Sequence, residues 1–537
     1  MSGRPDACVP RIKISLTKRP DLLDQLDKLK TSFNAKDAKS VRSLIERLSR
    51  KQFRAVESLV RYHELLLFLR AYPHNATVLQ LAEAQLRAFP ERIADLRERD
   101  VDLSWLEHPD VSGIAGSSVT DTFSFYLVRR LGQKYPDQLS IYWDWFEDEN
   151  RVAETWPRFM PLLEEDALVE ANVPYRTWLA AARERKSEIS WLIERFDGLP
   201  RADKEKAELY NSQKIYVRWT PHFASTRTGM RSDTKSIFYH DGPIIQRRDI
   251  NLKAELQAPP PPIHRLTSKE GERALDLARE ASTIRYRELY GFTHGDPRHV
   301  YEADMGRGVR LFLIGLPPEW RLPLRTYHAA MFFKNGVPIG YFEALALFER
   351  MESGLNLYYT FRDGETAWLY ARTLNLMHHF LGVTSFAIDP YQIGYQNDEG
   401  IKSGAFWFYR KFGFRPTKPE ALQLVEKEEQ KIATRTNYRT SPSTLRKLAE
   451  SPMIFELDHK RTGDWDKFQV RKIGFRVQGR EFKSLSSLAP DLSRWGLEEE
   501  QLLGKIIKAK NDAEEINYLN LMRRHERLRA EIIKLGS

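Results

Sequence analysis

The sequence predicts an α+β protein with a largely helical N-terminal region, a central mixed α/β sheet domain and a helical C-terminal extension. Three observations support this fold class. Apolar residues recur at helical spacing through the first hundred residues, four prolines interrupt the chain at 259–262, and alternating aromatic segments flank a later Asn-Gly pair. Since 537 residues are more than one hydrophobic core usually serves, we expect about two to four domains.

Residues 1–256 are predicted to form a mainly helical domain. Leucines at spacings of four and three begin the helical pattern, at Leu22, Leu26 and Leu29. Near residues 214–246 the segments IYVRW and SIFYH alternate instead, which is typical of strands. We therefore expect a few strands at the end of this domain.

A proline-rich segment, residues 257–264, marks the clearest boundary in the chain. Four successive prolines cannot occupy a helix interior and favour the extended polyproline II conformation. We interpret the segment as a stiff linker. Directly after it, Thr267 and Glu270 have the spacing of a capping box, which predicts a helix at the start of the next domain.

Residues 265–418 are predicted to form the sheet domain. The pair Asn335-Gly336 favours a two-residue turn, so the flanking aromatic segments are expected to form a hairpin. Helical periodicity and a terminal Gly382 predict one helix in the middle of this domain. The predicted order is strand 326–333, strand 340–348, strand 355–361, helix 366–381 and strand 383–389.

Residues 419–537 are predicted to form a charged, mainly helical extension, because charged residues alternate with apolar ones at helical spacing. One segment, FQVRKIGFRV at 468–477, alternates like a strand. The sequence therefore predicts a single strand within the extension.

The composition excludes several classes of protein. Cys8 is the only cysteine, so an internal disulfide and a cysteine-based zinc site are excluded, and we expect no metal cofactor. The longest apolar run is far shorter than the roughly 20 residues needed to cross a bilayer. The first residues lack the apolar segment of a secretory signal. These observations together favour a cytoplasmic protein without a membrane partner.

The loop before the predicted helix 366–381 has the composition of a phosphate-binding turn. It runs from Arg362 to Ala367 between a strand and a helix. A helix N-terminus offers unpaired N–H groups and a partial positive charge, and Arg362 could add a cation. An ordinary turn between a strand and a helix would have a similar composition, so the loop alone leaves both interpretations open.

The stretch SGAFWFYRKFGFRP, residues 403–416, combines aromatic and basic residues. Ala405, Phe408, Tyr409 and Phe412 share one helix face, and Gly413 predicts the end of that helix. Tyr409 is the one residue of that face with a side-chain proton to donate, and a phenol suits proton donation to a leaving thiolate. A buried structural tyrosine is the alternative interpretation.

The order of these elements and motifs resembles the GNAT acetyltransferase superfamily over about residues 265–418. The series Ala405, Tyr409, Lys411, Gly413 and Phe414 is similar to the closing signature of that family. Arg362 and Ala367 match the two ends of its pyrophosphate-binding loop. Glu365 stands where the first glycine of that loop normally lies.

The resemblance implies an N-acyltransferase that uses acetyl-CoA or another acyl-CoA as donor and an unidentified amine as acceptor. Tyr409 would protonate the departing thiolate, and Glu343, on a predicted strand, is the candidate general base. Backbone N–H groups of strand 355–361 and of the following loop would hold the cofactor. The residues of this implied cofactor site are Tyr359, Thr360, Phe361, Arg362, Asp363, Gly364, Glu365, Thr366 and Ala367.

Two alternatives remain open at the level of sequence. Glu365 in the loop is compatible with a GNAT-like domain that has lost catalysis and serves as a binding or scaffold module. The basic excess of residues 401–480, roughly +9, is compatible with a transferase that takes its donor from aminoacyl-tRNA, and so with nucleic acid as a partner.

Overall fold

The computed structural model describes residues 21–146, 150–153, 155–159, 174–476, 495–512 and 515–537. These residues form a mixed α and β structure dominated by helices, with one large and one small sheet. The α+β class predicted from the sequence is confirmed at this level.

The N-terminal half is mainly helical. Its leading leucines are on the buried side of their helices, as the spacing predicts, with Leu26 and Val41 fully buried. Its helices are α1 (Leu22–Leu29), α2 (Ala35–Ser49), α3 (Val56–Ala71), α4 (Ala76–Arg87), α5 (Phe89–Glu98), α6 (Phe125–Lys134), α7 (Asn150–Ala153), α8 (Tyr175–Ala182), α9 (Glu188–Asp197), α10 (Asp203–Ser212) and α11 (Leu252–Gln257).

The small sheet lies within this half and is antiparallel in the order β1–β3–β2. Its strands are β1 (Val119–Asp121), β2 (Leu139–Ile141) and β3 (Val217–Trp219). The prediction of a second strand at 236–240 is wrong. The backbone of Phe238 bonds instead to the side chain of Asn335, donating to its Oδ1 at 2.8 Å and accepting from its Nδ2 at 2.9 Å.

The large sheet has nine strands among the described residues, in the order β11–β12–β10–β9–β8–β7–β6–β5–β4. Strands β4 to β9 are joined antiparallel, and β9 and β10 are parallel. Its strands are β4 (Ile263–Arg265), β5 (Val300–Gly306), β6 (Val309–Ile314), β7 (Thr326–Lys334), β8 (Val337–Leu347), β9 (Arg350–Leu357), β10 (Ser385–Ile388), β11 (Arg415–Pro416) and β12 (Met453–Glu456).

Helices cover both faces of this sheet. The helices that follow β4 along the chain are α12 (Ser268–Thr283), α13 (Tyr290–Thr293), α14 (Thr366–Leu381), α15 (Asp398–Ser403), α16 (Ala405–Arg410), α17 (Pro419–Thr434), α18 (Pro442–Leu448), α19 (Thr462–Lys467), α20 (Val470–Arg476), α21 (Leu497–Asp512), α22 (Glu515–Arg523) and α23 (Glu526–Gly536). Within the described ranges, none of the helices combines the length and the apolar character needed to cross a bilayer.

The predicted hairpin is present. Asn335 and Gly336 have φ of 50° and 82°, the left-handed values that a two-residue hairpin turn requires. The predicted helix 366–381 matches α14, and Gly382 ends it with a φ of 67°. The predicted strand 355–361 is wrong in its bounds, because β9 ends at Leu357 and residues 359–361 form a 3₁₀ turn in which the Phe361 N–H bonds to the Tyr358 carbonyl.

The proline-rich segment lies against α14. Asn375 Nδ2 donates to the carbonyls of Glu255 and Ala258 at 2.6 and 2.9 Å, and Arg372 donates to the Pro259 carbonyl at 2.9 Å. The segment then enters the large sheet as β4. The domain boundaries stay a prediction, but these bonds tie the segment predicted as a linker to the sheet domain.

The C-terminal extension adds a strand to the sheet at a place that the sequence did not predict. Strand β12 pairs with β10 on one side and β11 on the other. The strand predicted at 468–477 is wrong for the described residues, where 470–476 is helix α20; residue 477 lies outside them. Buried Ile473 of this helix packs with Trp465 and Ile532 in the C-terminal core.

Candidate active site

Strands β9 and β10 separate in the middle of the sheet. Their parallel pairing covers Arg350 to Glu352 on β9 and ends at the pair Glu352–Ala387. Strand β10 stops at Ile388, while β9 continues for five residues beside β8 alone. A crevice at the carboxyl ends of parallel strands is a common place for a ligand in sheets of this kind.

Gly354 lies where β9 and β10 separate, a point that we call the parting of the two strands. A Cβ atom at this position would be 3.2 Å from Nε2 of Gln392, which follows β10. The Gln392 amide therefore lies over Gly354 on the face to which a side chain at that position would point, which is also the Glu343 face. Because a glutamine side chain is flexible, it can move without a change in the backbone.

Tyr409 approaches the parting from the α14 face of the sheet. Ser353 Oγ and Tyr370 OH are 3.0 Å apart, and the Tyr409 ring lies 5.5 Å from that of Tyr370. Tyr409 is buried, and its hydroxyl has no hydrogen-bond partner among the described residues. Burial raises the pKa of Tyr409, so its phenol remains protonated at neutral pH. The hydroxyl therefore has an unused proton, which the raised pKa holds more tightly than in an exposed tyrosine.

The other aromatic residues of the stretch 403–416 have a packing role. Phe408 and Phe412 pack around Tyr370 with ring centroids 5.9 and 5.5 Å away. Gly413 follows the helix with a φ of 97°. The predicted helix is present as α16 and begins directly after Gly404, whose φ of 70° separates it from α15.

Glu343 lies on the opposite face of the sheet. It is directly across from Gly354 in the β8–β9 pair, and successive side chains of a strand point to opposite faces, so Ser353 and Glu343 are on different sides. Glu343 Oε1 accepts a 2.5 Å hydrogen bond from Tyr327 OH. Burial and the Glu343 carboxylate raise the pKa of Tyr327. The two predicted catalytic residues thus flank residues 353–354 from two sides.

The loop predicted to bind the cofactor meets the N-terminal half. Tyr359 is exposed, Phe361 and Ala367 are buried, and Thr360 donates to the Glu64 carboxylate. Asp363 pairs with Lys30 at 2.8 Å. A Cβ atom on Gly364 would be 2.5 Å from Tyr72 OH.

The N-terminus of α14 itself has no side-chain cap. Thr366 Oγ1 turns back to the Arg362 carbonyl at 3.1 Å. Arg362 is exposed and pairs with Glu399 at 2.6 Å, an ion pair that water screens and an anion could displace. The first turn of α14 therefore keeps N–H groups that a phosphate could use.

Glu365 turns away from the front of α14. Its carboxylate is buried and pairs with Arg307 at 2.6 Å, and it also accepts the Ile245 N–H at 3.2 Å. Arg307 therefore neutralises the charge of the Glu365 carboxylate. The carboxylate at the place of the family's loop glycine thus faces the protein interior.

Arg307, Lys334 and His240 surround Glu365; we call these four residues the Glu365 cluster. Arg307 Nη2 lies 3.2 Å from His240 Nδ1, and since a guanidinium can only donate, Nδ1 is the acceptor and Nε2 carries the ring proton. His240 Nε2 is 3.1 Å from Lys334 Nζ, so a neutral Lys334 is the partner that can accept that proton. Burial lowers the pKa of Lys334 to about 7, in agreement with this arrangement.

A second group of polar residues lies on the Glu343 face. The Tyr341 hydroxyl accepts from Asn356 Nδ2 at 2.9 Å and from Arg287 Nη1 at 3.5 Å. The Arg285 guanidinium stacks on the Tyr358 ring at 3.9 Å. We call Glu343, Tyr341, Asn356, Tyr358, Arg285 and Arg287 the Tyr341 cluster.

The sequence did not indicate the partners of either cluster. Arg285 and Arg287 follow α12 in an ordinary polar turn, and Lys334 and Arg307 are single cations beside turns. Each meets its partners from elements that are 27 or more residues away in the chain. Spacing within one element, the signal used above, carries no information about such contacts.

A hydrogen-bonded series in the N-terminal half has the connectivity of a nucleophile–histidine–acid triad. His63 lies 2.8 Å from Thr228 Oγ1 through Nε2 and 2.9 Å from Glu64 through Nδ1. Thr228 and His63 are fully buried, and Thr228 Oγ1 also accepts the Ala115 N–H at 2.8 Å. The hydroxyl has no access to a substrate, so this series has a structural role.

No family model, no curated protein and no solved structure matches this chain. The chemistry of the site therefore has to be argued from its own geometry.

Proposed function

We propose that the chain is an acyl-CoA-dependent N-acyltransferase of GNAT-like fold that transfers the acyl group directly from the thioester to an amine. The observation that carries this proposal is the parting of β9 and β10 at Glu352–Ala387, with Tyr409 and Glu343 on its two sides. The uncapped N-terminus of α14 lies one short turn beyond the end of β9.

The donor would occupy the crevice. Its pyrophosphate would take the N–H groups of the first turn of α14, and Arg362 would exchange Glu399 for the phosphate charge. Its pantetheine arm would run along residues 353–357, which lack a strand partner on the β10 side in the described structure. Gln392 would move away from Gly354 as the donor enters.

The chemical step would be a direct displacement. The acceptor nitrogen attacks the thioester carbonyl, a C–N bond forms and the C–S bond breaks. Glu343 takes the proton that the nitrogen loses, and Tyr409 gives its proton to the sulfur. The Tyr409 phenol is protonated before the reaction because of its burial.

One observation favours a second candidate, a GNAT-like binding or scaffold module without catalysis. Lys30 and Tyr72 of the N-terminal half contact the loop at Asp363 and Gly364, and the Gln392 amide lies against Gly354. In that case these contacts would be permanent. Binding of acyl-CoA and turnover separate the two candidates.

The proposal is tested by the release of thiol from acetyl-CoA in the presence of a mixed pool of amines. Tyr409→Phe should lower the rate by about 10²-fold or more, the usual contribution of a positioned acid. Tyr391→Phe is the matched control, since Tyr391 is exposed on the loop after β10. Equal rates for the wild-type protein and Tyr409→Phe would contradict the assigned role, and no release at all would favour the scaffold.

A further inference from the structure

The Tyr341 cluster contains more cations than carboxylates. Arg285 is buried, yet no carboxylate of the described residues lies within 4 Å of it, and its Nε has no hydrogen-bond partner. Its one hydrogen bond among those residues is from Nη1 to the Ala281 carbonyl at 2.7 Å. Buried charges in proteins are normally paired, so an unpaired buried guanidinium calls for an anion.

Arg287 extends this positive charge to the surface. It is exposed, and within the described part of the chain its guanidinium makes one hydrogen bond, the 3.5 Å approach to Tyr341 OH. That distance is at the outer limit of a hydrogen bond, so the contact holds the group weakly. A planar guanidinium in this position can turn to bind an acid group through two parallel hydrogen bonds.

Glu343 supplies the opposite charge two residues further along β8. The charges of Arg287 and Glu343 act in opposite directions on the pKa of Tyr341, with Arg287 lowering it and Glu343 raising it, while burial is the largest influence and raises it. Tyr341 and Glu343 are residues i and i+2 of β8, so their side chains point to the same face of the sheet. The guanidinium that contacts the Tyr341 hydroxyl and the Glu343 carboxylate therefore lie on one face.

We propose that this face binds an acceptor that carries a carboxylate close to its amine, as an amino acid does. The carboxylate would pair with Arg287, with Arg285 adding to the positive potential, and the ammonium group would bind Glu343. The inference rests on the proposed function, because it places the acceptor nitrogen beside Glu343 and the parting of β9 and β10.

The first test is binding of small molecules to the full chain, measured by saturation-transfer NMR without a donor. One pool contains the standard amino acids, a second contains their decarboxylated amines, and O-phosphoethanolamine is a third ligand. We expect saturation transfer to members of the first pool only. Transfer to the decarboxylated amines of equal strength, or to O-phosphoethanolamine alone, would overturn the assignment of a carboxylate, and no transfer to any amino acid would overturn the inference as a whole.

The second test uses the arginine itself. Arg287→Gln should raise the KM for an amino-acid acceptor by about 10- to 100-fold with a smaller change in kcat, and Arg287→Lys should retain part of the affinity. Arg273→Gln is the matched control, because Arg273 is an exposed arginine of α12 that also has no ion pair among the described residues. An unchanged KM in Arg287→Gln would overturn the inference.

The outcomes separate this inference from the proposed function. Thiol release that depends on Tyr409 and is as fast with decarboxylated amines as with amino acids would support the transferase function and contradict the carboxylate site. Binding of amino acids that depends on Arg287, with no thiol release, keeps the site and removes the transferase.

Discussion

The Glu365 cluster and the Tyr341 cluster use the same kinds of side chain in opposite ways. In the first, Arg307 pairs with Glu365 at 2.6 Å and Lys334 Nζ lies 3.8 Å from the same carboxylate, so both cations have a carboxylate beside them. In the second, Arg285 is buried and Arg287 exposed, and neither has a carboxylate within 4 Å in the described structure. Charges that cancel internally stabilise the joint between two parts of a protein, whereas unpaired charges can bind a ligand.

The largest expected effect is on the free energy of unfolding, at the Glu365 cluster. Glu365→Gln leaves the half-buried Arg307 without its counter-charge, so we expect a loss of about 1–3 kcal/mol in the free energy of unfolding. Glu343→Gln is the matched change in the other cluster and should cost less than about 1 kcal/mol, because an amide oxygen can still accept from Tyr327. Urea unfolding of the full chain measures both. Equal losses would remove the distinction between the clusters.

The next effect is the pH dependence that Lys334 gives to stability. Burial lowers the pKa of Lys334 to about 7 from its ordinary value of 10.5. The unfolded chain therefore binds one more proton than the folded chain between these two values, and stability rises with pH across that window; the cost of protonating Lys334 in the folded state is fully present below about pH 7.

Lys334→Met should remove this contribution. We expect the midpoint of thermal unfolding of the wild type, relative to the variant, to rise from pH 7 to pH 9.5. Parallel profiles for the two proteins would show that Lys334 remains charged in the folded state.

A smaller effect on the free energy of unfolding is expected at the Tyr341 cluster. Arg287→Gln should change the free energy of unfolding by no more than about 0.5 kcal/mol, since its guanidinium has only the long contact to Tyr341. Arg307→Gln is the comparison and should cost several times more, because Arg307 contacts both oxygens of Glu365. Thermal unfolding of the two variants measures these losses of stability. A large loss in Arg287→Gln would give it a structural role.

The smallest effect is expected at an exposed pair. Asp363→Asn breaks the contact with Lys30, and because Asp363 is exposed we expect a change within about 1 kcal/mol. The Asp363→Asn variant serves as a reference for Glu365→Gln, two residues later in the same loop. A loss as large as that of Glu365→Gln would mean that burial does not decide these effects.

The sequence predicted the local elements of the sheet domain well where one short segment determines them. The hairpin at Asn335-Gly336 and the helix from Thr366 to Leu381 follow from turn residues and periodicity alone. Strand β12 was missed because four residues among helices carry too little periodic signal. The segment 468–477 was assigned wrongly because packing of Ile473 with Trp465 favours a helix over its alternation.

The candidate site was predictable only in part. Tyr409 could be named as the proton donor on its helix face, and Glu343 only from what the family resemblance implies; the structure places them around residues 353–354. The orientation of Glu365 could not be predicted, because it depends on Arg307, which is 58 residues away in the chain. The same holds for Tyr341 and Arg287, which meet across 54 residues.

Calorimetric titration of the full chain with acetyl-CoA tests the donor site at the parting of β9 and β10 most directly. The account predicts saturable binding of one molecule per chain, weakened about tenfold or more in Arg362→Ala. Arg446→Ala is the matched control, since Arg446 is an exposed arginine that pairs with Asp398 beside the Glu399 partner of Arg362. No binding, or binding that both variants weaken equally, would contradict the account.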